Sequence, residues 1–347
     1  MSLEIERRSL PDRDTLLRDF LRPGRPFIAT DLFAGEKLRE VRSPATAREL
    51  WADVELRFRS EYLEAFLARA GTATARATEP RRLTLAAYLD LDLPEGHADA
   101  SLLCSEEAVP PAIAATFRLP SIVEWPDDPP YAQVFLGRRG QHAHLHFDGD
   151  GRHGFLFQVY GRKRVLVFDP SSARRLQPFG VYSGWFVDRL TAEERAALVS
   201  FARGVEVVLE PGEALFLPAF AYHYVEYVDD AMSISIDFGR NRWVRGLVDV
   251  FPHTSHLPLV GARVVDDERV EREQPGFLAE LAERLANPPV DPRERRATLE
   301  ALAARLHGGS ALDVRSPLEE VVLAAEAAGF RRGSSRSRAS TASPTLR

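Results

Sequence analysis

Two histidines and one aspartate of this 347-residue chain have the spacing of a metal site. His146 and Asp148 stand two positions apart in a segment with strand character, so their side chains point to the same side of the backbone. His223 comes later in the chain and can join them from a strand that folds back over the first. Two histidines and one carboxylate form the facial triad of non-haem Fe(II) oxygenases, which leaves the opposite face of the metal open. The pattern therefore predicts an iron centre held by these three residues.

The elements that must position this triad are short runs of β-branched and aromatic residues bounded by turns. The segment 137–140 and the pair Pro211-Gly212 are typical turn sequences. We predict strands over residues 134–136, 142–148, 155–160, 165–168, 205–209, 214–218 and 232–238. Many short strands separated by turns are typical of a jelly roll or barrel, and the metal would lie inside it. The predicted fold class is mainly β with flanking helices.

Residues 126–240 resemble a JmjC (cupin-like) domain, the double-stranded β-helix of Fe(II)- and 2-oxoglutarate-dependent oxygenases. The motifs that carry this resemblance are Gly140 with His146-Phe147-Asp148, the segment 157–164, Pro211-Gly212-Glu213, Leu217-Pro218 and His223. The chain is most similar to the branch that contains the asparaginyl hydroxylase acting on hypoxia-inducible factor. Residues 25–30 also resemble the early strand with which that branch commonly opens.

The resemblance implies a set of cofactors and site residues. His146, Asp148 and His223 match the iron ligands, and Lys163 matches the lysine that pairs with the distal (C5) carboxylate of 2-oxoglutarate. Asp237 stands where relatives often have asparagine, close to the metal end of the cosubstrate. An additional anion there is unfavourable unless it is protonated or turned away. The implied cofactors are Fe(II), 2-oxoglutarate as cosubstrate and O2.

The chain departs from the family pattern at two positions that concern the cosubstrate. Ala143 stands three residues before the first ligand, where the family usually has threonine or serine. The aromatic hydroxyl that some relatives supply from an upstream strand is replaced near Leu102 or Leu103, whose side chains cannot form hydrogen bonds. Binding of 2-oxoglutarate is therefore inferred mainly from Lys163.

The composition of the chain gives Lys163 independent support. Two of the 45 lysine and arginine residues are lysines, Lys37 and Lys163, so the remaining 43 are arginines. Because the chain otherwise uses arginine, a lysine inside an apolar strand suggests a specific role. Its compact point charge can reach a single carboxylate inside the barrel. The alternative is a lysine at a strand end that extends its ammonium to solvent.

Other polar residues near the triad leave alternatives open. A rival ligand set is His144, His146 and His223 with Asp150 as the acid, which is nearer the His-x-His arrangement of other cupins. Simple alternation places His142 and His144 on the face of His146. We expect His144 in the pocket wall and His142 at the barrel mouth. The chain around Gly151 is a flexible turn, in which we expect His153 to be solvated and Asp150 and Arg152 to be free to meet substrate.

Composition limits the class and location of the protein. A net charge of −6 argues against a general nucleic-acid binder. A single cysteine, Cys104, suits a reducing compartment and is expected to be buried. No apolar stretch reaches the roughly 20 residues needed to cross a membrane, and residues 1–20 lack the apolar core of a signal peptide. We expect a cytoplasmic protein.

The rest of the chain is organised around this core. We predict N-terminal α/β elements over 1–125, the catalytic core over 126–245, a helical region over 246–330 and a disordered tail over 331–347. Predicted elements outside the core are helices at 11–20, 44–51, 83–89, 277–285, 299–306 and 317–328, a strand at 54–59, and a proline-rich loop at 110–130 over the barrel mouth. The segment 171–201 is a long insertion with a capping-box helix that begins at Thr191.

Two classes of function follow from these features. The first is an oxygenase that hydroxylates an unactivated C–H bond, either on a peptide or protein side chain or on a free amino acid or natural product. The second is a metal-binding cupin without oxygenase activity. The long segments 110–130 and 171–201 favour a groove for a peptide, and the acids Asp127, Asp128, Asp150 and Asp188 favour a neutral or basic partner. The C-terminal helices suggest a homodimer, as in relatives, or packing against the barrel of the same chain.

Overall fold

The computed structural model describes residues 5–59, 80–91, 102–252 and 254–308. Its strands are β1 (Arg7–Arg8), β2 (Phe27–Ala29), β3 (Glu55–Phe58), β4 (Arg81–Thr84), β5 (Cys104–Ala108), β6 (Tyr131–Gly137), β7 (His142–His146), β8 (His153–Tyr160), β9 (Lys163–Phe168), β10 (Pro178–Phe179), β11 (Tyr182–Ser183), β12 (Val205–Leu209), β13 (Ala214–Leu217), β14 (Tyr222–Tyr227) and β15 (Ala231–Phe238). Its α-helices are α1 (Arg13–Thr15), α2 (Pro44–Trp51), α3 (Leu85–Leu89), α4 (Pro111–Ala114), α5 (Ala173–Leu176), α6 (Ala192–Phe201), α7 (Arg242–Val250), α8 (Leu257–Val264), α9 (Asp267–Glu273), α10 (Phe277–Ala286) and α11 (Pro292–Leu306).

Two large sheets form the centre of the molecule. Seven strands pair in the order β1-β2-β13-β8-β15-β6-β5, and six pair in the order β10-β11-β7-β14-β9-β12. One apolar cluster contains Leu156 and Leu215 from the first sheet and Val165, Val167 and Val207 from the second, so these faces pack against each other. Two sheets packed in this way are the architecture of a jelly roll. The predicted fold class is confirmed.

The outer faces of both sheets are covered by the flanking elements. Strand β8 is buried along its whole length, because Phe155 and Phe157 pack outward against N-terminal residues such as Phe27. A strand covered on both faces reads as a nearly continuous apolar run, as β8 does. On the six-stranded sheet, Leu145 of β7 and Phe147, which follows it, face outward and pack with the C-terminal helices in a third cluster. Alternation along β7 then directs His146 inward.

Helix starts are the local features that the sequence predicted best. The side chain of Thr84 accepts a hydrogen bond from the backbone N–H of Ala87, which caps α3 within the predicted helix 83–89. Ser43 caps α2 in the same way, and Thr191 and Glu194 form the predicted capping box of α6. Side-chain caps satisfy N–H groups that the first helical turn leaves unpaired, so they define where each helix begins.

Two predictions outside the core need correction. The segment 110–130 is not only a loop, because it contains α4 and a 3-10 turn at Ser121–Val123. Three helices between residues 242 and 273, α7, α8 and α9, were missing from the predicted elements. Helix α8 contains Pro258 and Gly261, two residues that helices disfavour, and this masks its pattern. The predicted helix at 317–328 and the tail at 331–347 lie outside the described residues.

The C-terminal helices bury their apolar sides within the chain. Leu281 of α10 and Leu299, Leu302 and Leu306 of α11 are buried in the same cluster as the outer face of the six-stranded sheet. This is the packing that we gave as the alternative to a dimer interface. None of the described helices is long and apolar enough to span a membrane.

Candidate active site

The three residues of the predicted triad meet between neighbouring strands. His146 of β7 and His223 of β14 are directly paired in register, and Asp148 follows just after β7 ends. The Asp148 carboxylate lies 3.6 Å from Nε2 of His146 and 3.8 Å from Nε2 of His223. One ligand atom from each residue lies within 4.8 Å of the others. The structure thus brings together the residues that the sequence singled out.

Backbone carbonyls orient both imidazoles. Nδ1 of His146 is 2.6 Å from the carbonyl oxygen of His144, and Nδ1 of His223 is 3.0 Å from that of Ala221. A carbonyl can only accept a hydrogen bond, so Nδ1 of each ring carries the proton. The lone pair of each Nε2 is therefore directed toward Asp148, as in histidines that bind metals.

The electrostatics of His223 and Asp148 favour the protonation states that a metal requires. Burial lowers the pKa of His223, which favours a neutral ring at neutral pH. Burial acts to raise the pKa of Asp148, but the neighbouring His223 and His146 outweigh it and lower that pKa to about 2. Neutral imidazoles and an ionised carboxylate are the forms that bind a divalent cation. The donor set therefore fits Fe(II).

The rival ligand set is not assembled in the structure. His144 is buried, and its Nε2 lies 2.8 Å from the carbonyl oxygen of Ser183. Its ring packs 5.0 Å from that of Phe186, and burial lowers its pKa to about 4. His144 therefore lies in the pocket wall, as expected, with its Nε2 occupied by a carbonyl rather than directed at the triad.

Lys163 lies deep between the sheets, further along the same face as His223. Strand β9 pairs with β14 so that Val167 is opposite His223 and Lys163 is opposite Tyr227. Four residues of a strand span about 13 Å, which separates the Lys163 backbone from the metal end. The Lys163 side chain is only 1% exposed, and Nζ lies 4.3 Å from the centroid of the Tyr227 ring. Burial lowers the pKa of Lys163 to about 7, and among the described residues no carboxylate offsets this effect.

Acidic residues and one tyrosine form the side of the site contributed by the seven-stranded sheet and the turn after β7. Asp237 of β15 is paired in register with Tyr131 of β6. The Tyr131 hydroxyl donates to Asp150 at 3.1 Å, and the Ser235 hydroxyl donates to Asp237 at 2.9 Å. Burial, together with Asp150 and Asp148, raises the pKa of Asp237 well above its ordinary value. A protonated Asp237 avoids the conflict of anions that the sequence indicated.

His142 lies where alternation did not predict it. The register of β7 and β14 shifts between His223 and Val225, because β7 carries one extra residue there. This bulge directs Ala143 to the inner face with Val225, whereas His142 stacks on the outward Tyr224 ring at 5.9 Å. The expectation that His142 shares the face of His146 was wrong.

His153 is buried rather than solvated. Its side chain is 1% exposed, and its Nδ1 accepts a hydrogen bond from the backbone N–H of Ala219 at 3.0 Å. Burial lowers its pKa to about 3, so the ring is neutral. It is the first residue of β8 and stacks on Phe216, so it belongs to the core. Arg152 and Asp128 form an ion pair at 2.6 Å, so Arg152 is not free to meet substrate as expected.

Sequence reasoning missed two residues of this site, Tyr131 and Tyr227. The signal for Tyr227 was present, because positions 223, 225 and 227 share one face of a strand. Tyr131 is harder to find, since it reaches the site only through the pairing of β6 with β15.

Two comparisons relate the chain to known proteins. Residues 16–239 match the model of a family described as cupin-like domain. Relatives include Jumonji C domain-containing protein 5 of Drosophila melanogaster, 29% identical over 110 residues (30% of this chain and 26% of that protein). A second relative is 2-oxoglutarate and iron-dependent oxygenase JMJD4 of Mus musculus, 28% identical over 122 residues (33% of this chain and 27% of that protein). A third is HSPB1-associated protein 1 of Rattus norvegicus, 33% identical over 117 residues (32% of this chain and 23% of that protein). The chain spans only about a quarter of the length of these relatives.

Proposed function

This chain belongs to the cupin-like domain family, and on that premise we propose that it is an Fe(II)- and 2-oxoglutarate-dependent dioxygenase that hydroxylates an unactivated C–H bond. The observation that carries the proposal is the convergence of His146, Asp148 and His223 with Lys163 buried further along the same inner face. A relative whose printed name describes a 2-oxoglutarate and iron-dependent oxygenase supports it. The finer placement near the asparaginyl hydroxylase branch stays a prediction.

In this proposal the triad holds the metal. The two Nε2 atoms and the Asp148 carboxylate would hold Fe(II), and the carbonyls of His144 and Ala221 keep the rings from rotating. Bound Fe(II) supplies the chemistry that splits O2, decarboxylates 2-oxoglutarate to succinate and CO2, and inserts the second oxygen atom into a C–H bond. The chain itself contributes orientation and a site with few competing water molecules.

Lys163 fixes the far end of the cosubstrate. Val165 and Val225 are paired between Lys163 and the histidines, so the floor of the pocket is apolar. An apolar floor with a cation at one end and a metal at the other suits a short dicarboxylate that lies along it. A carboxylate beside Lys163 offsets the loss of hydration that lowers the pKa of its ammonium, so the lysine is charged when the cosubstrate is bound.

The substrate that we propose is a side chain on a peptide or protein. The Asp148 side chain is 50% exposed and Tyr131 is 37% exposed, so the site opens to solvent on this side. The segments 110–130 and 171–201 are long enough to flank an extended chain. The name of the relative HSPB1-associated protein 1 describes association with a protein, which supports a protein substrate. A free amino acid or natural product, or metal binding without oxygenation, is the alternative.

An oxidation screen separates these alternatives. The enzyme is incubated with Fe(II), 2-oxoglutarate and a cell lysate, and the peptide and metabolite fractions are searched for a gain of one oxygen atom. Oxidised peptides that are absent with Asp148→Ala support the proposal. Oxygen gained only by small metabolites favours the small-molecule substrate, and no oxidation with metal still bound favours the non-oxygenase cupin.

Organisation and location are proposals as well. We retain the division into 1–125, 126–245, 246–330 and 331–347, and a cytoplasmic protein that binds neither nucleic acid nor membrane. Cys104 is buried with its thiol 3.7 Å from the carbonyl oxygen of Val134, which suits a reduced cysteine in such a compartment.

A further inference from the structure

A tyrosine lies beside Lys163 at the closed end of the pocket. Tyr227 is the last residue of β14 and is paired directly with Lys163, the first residue of β9. Its side chain is only 2% exposed, and its ring centroid lies 4.3 Å from the lysine Nζ. His223, Val225 and Tyr227 share one face of β14, so Tyr227 faces the same pocket as the metal site.

The position of the Tyr227 ring depends on Gly137. A Cβ atom at residue 137 would lie 2.7 Å from Cε1 and 2.8 Å from Cζ of Tyr227, closer than such atoms approach in proteins. Glycine at this position of β6 therefore makes room for the ring beside Lys163. Backbone hydrogen bonds secure the same residue, because its N–H donates to Gln141 and its carbonyl accepts from Gly140, both at 2.8 Å.

The Tyr227 hydroxyl is a donor in need of an acceptor. Within the parts of the chain that the structure describes, this hydroxyl makes no hydrogen bond, although the residue is buried. Burial raises the pKa of Tyr227 well above its ordinary value, so the phenol keeps its proton. A protonated hydroxyl at the closed end of a pocket can therefore donate to an acceptor that binds there.

The upstream strand does not offer such a donor. Leu102 is buried, and its carbonyl oxygen accepts from the Tyr88 hydroxyl at 3.1 Å and from Nε2 of Gln141 at 2.9 Å. Leu103 pairs through its backbone with Arg59. Among the described residues of this segment, neither Leu102 nor Leu103 offers a side-chain hydroxyl to the distal carboxylate.

We propose that the Tyr227 hydroxyl donates a hydrogen bond to the distal carboxylate of 2-oxoglutarate beside Lys163, in place of the hydroxyl that relatives supply from an upstream strand. This inference rests on the proposed function, since it presumes that 2-oxoglutarate occupies the pocket. Tyr227 is thus a binding residue for the cosubstrate, on the strand that also carries His223. The neutral phenol and the ammonium would then share one carboxylate.

Two ligands separate a lost contact from a damaged pocket. Calorimetric titration of the Fe(II)-loaded full chain, without oxygen, measures the affinity for 2-oxoglutarate and for 2-oxopentanoate, which has a methyl group in place of the distal carboxylate. The variants are Tyr227→Phe, which removes one oxygen atom, and Tyr224→Phe, a control on the same strand that faces outward.

The expected result is selective. Tyr227→Phe should weaken binding of 2-oxoglutarate by at least about tenfold, as for loss of a hydrogen bond to a charged group, and leave 2-oxopentanoate within about twofold. Tyr224→Phe should change neither affinity. Gly137→Ala is a second variant that displaces the ring, and it should reproduce the selective loss.

Other outcomes overturn the inference. Equal weakening of both ligands in Tyr227→Phe and Gly137→Ala means that the ring only supports the pocket, and unchanged 2-oxoglutarate affinity means that the hydroxyl makes no contact. Wild-type protein that binds neither ligand contradicts the proposed function itself, so the two failures are distinguishable.

Discussion

Replacing Lys163 with methionine should weaken the cosubstrate and stabilise the fold at the same time. Methionine has nearly the same length and no charge, so Lys163→Met removes the ammonium without leaving a cavity. The lost contact to the distal carboxylate is worth roughly 1.5–3 kcal/mol, so the affinity for 2-oxoglutarate should fall about tenfold or more. Lys37→Met is the matched control, because Lys37 is the other lysine of the chain and is exposed.

The stability effect follows from the burial of the ammonium. Burial removes the hydration of the Lys163 ammonium and lowers the pKa of Lys163 from 10.5 to about 7. This shift means that burial destabilises the charged form relative to the neutral form by about 5 kcal/mol. The unfolded lysine keeps its proton up to about pH 10.4, so folding releases a proton between about pH 7 and 10. Wild-type stability therefore rises with pH in this window, whereas the variant lacks the rise.

Denaturant unfolding and calorimetric titration check both halves of this prediction. At pH 7, where the cost of the buried charge is largest, Lys163→Met should raise the free energy of unfolding by roughly 1–4 kcal/mol, as when buried charges are replaced by apolar side chains. The gain should shrink toward pH 10. Unchanged 2-oxoglutarate affinity refutes the assigned role. The neighbouring Arg162 and Arg164 are poor substitutes, because they pair with Asp229 and Glu226 at 2.7 Å.

Three further variants or measurements probe the rest of the site. Alanine at any one of the three ligands, His146, Asp148 or His223, should abolish iron-dependent turnover and leave the far-UV circular dichroism spectrum unchanged. Turnover that survives Asp148→Ala but is lost in His144→Ala would instead assign the metal to the His-x-His ligand set. Asp237→Asn should raise the free energy of unfolding of the metal-free protein at pH 7. The raised pKa of Asp237 makes wild-type stability fall as pH rises above about 4, and asparagine removes this loss. The same slope of stability against pH in the wild type and the variant would contradict this. Light scattering should give a homodimer for the full chain, and a full-length monomer ends the dimer proposal.

The sequence predicted the parts of this site that depend on strand alternation alone. His146 and Asp148 are two residues apart, and their convergence was predicted from this spacing, although β7 ends at His146 and Asp148 follows it. The place of His223 opposite His146 required a folded-back strand, which the family resemblance supplied. Lys163 could be singled out because it is one of only two lysines in an arginine-rich chain.

Features that depend on tertiary packing were predicted poorly. The bulge in β7 reverses the direction of His142, and no turn residue in the segment marks it. His153 looked like part of a glycine-rich turn, yet β8 begins with it and sheet packing buries it. Helices α7 and α8 were missed because their apolar residues lack a leucine repeat. In α7 the signal was Asn241, whose side chain accepts hydrogen bonds from the backbone of Trp243 and Val244.

The fate of molecular oxygen tests the central claim most directly. The purified chain is supplied with Fe(II), 2-oxoglutarate and ¹⁸O2, and the succinate formed is analysed by mass spectrometry. The account predicts one ¹⁸O atom in each succinate molecule, formed only with Fe(II) present and lost with His223→Ala. Unlabelled succinate, or iron-loaded protein that forms succinate no faster than His223→Ala, would contradict it.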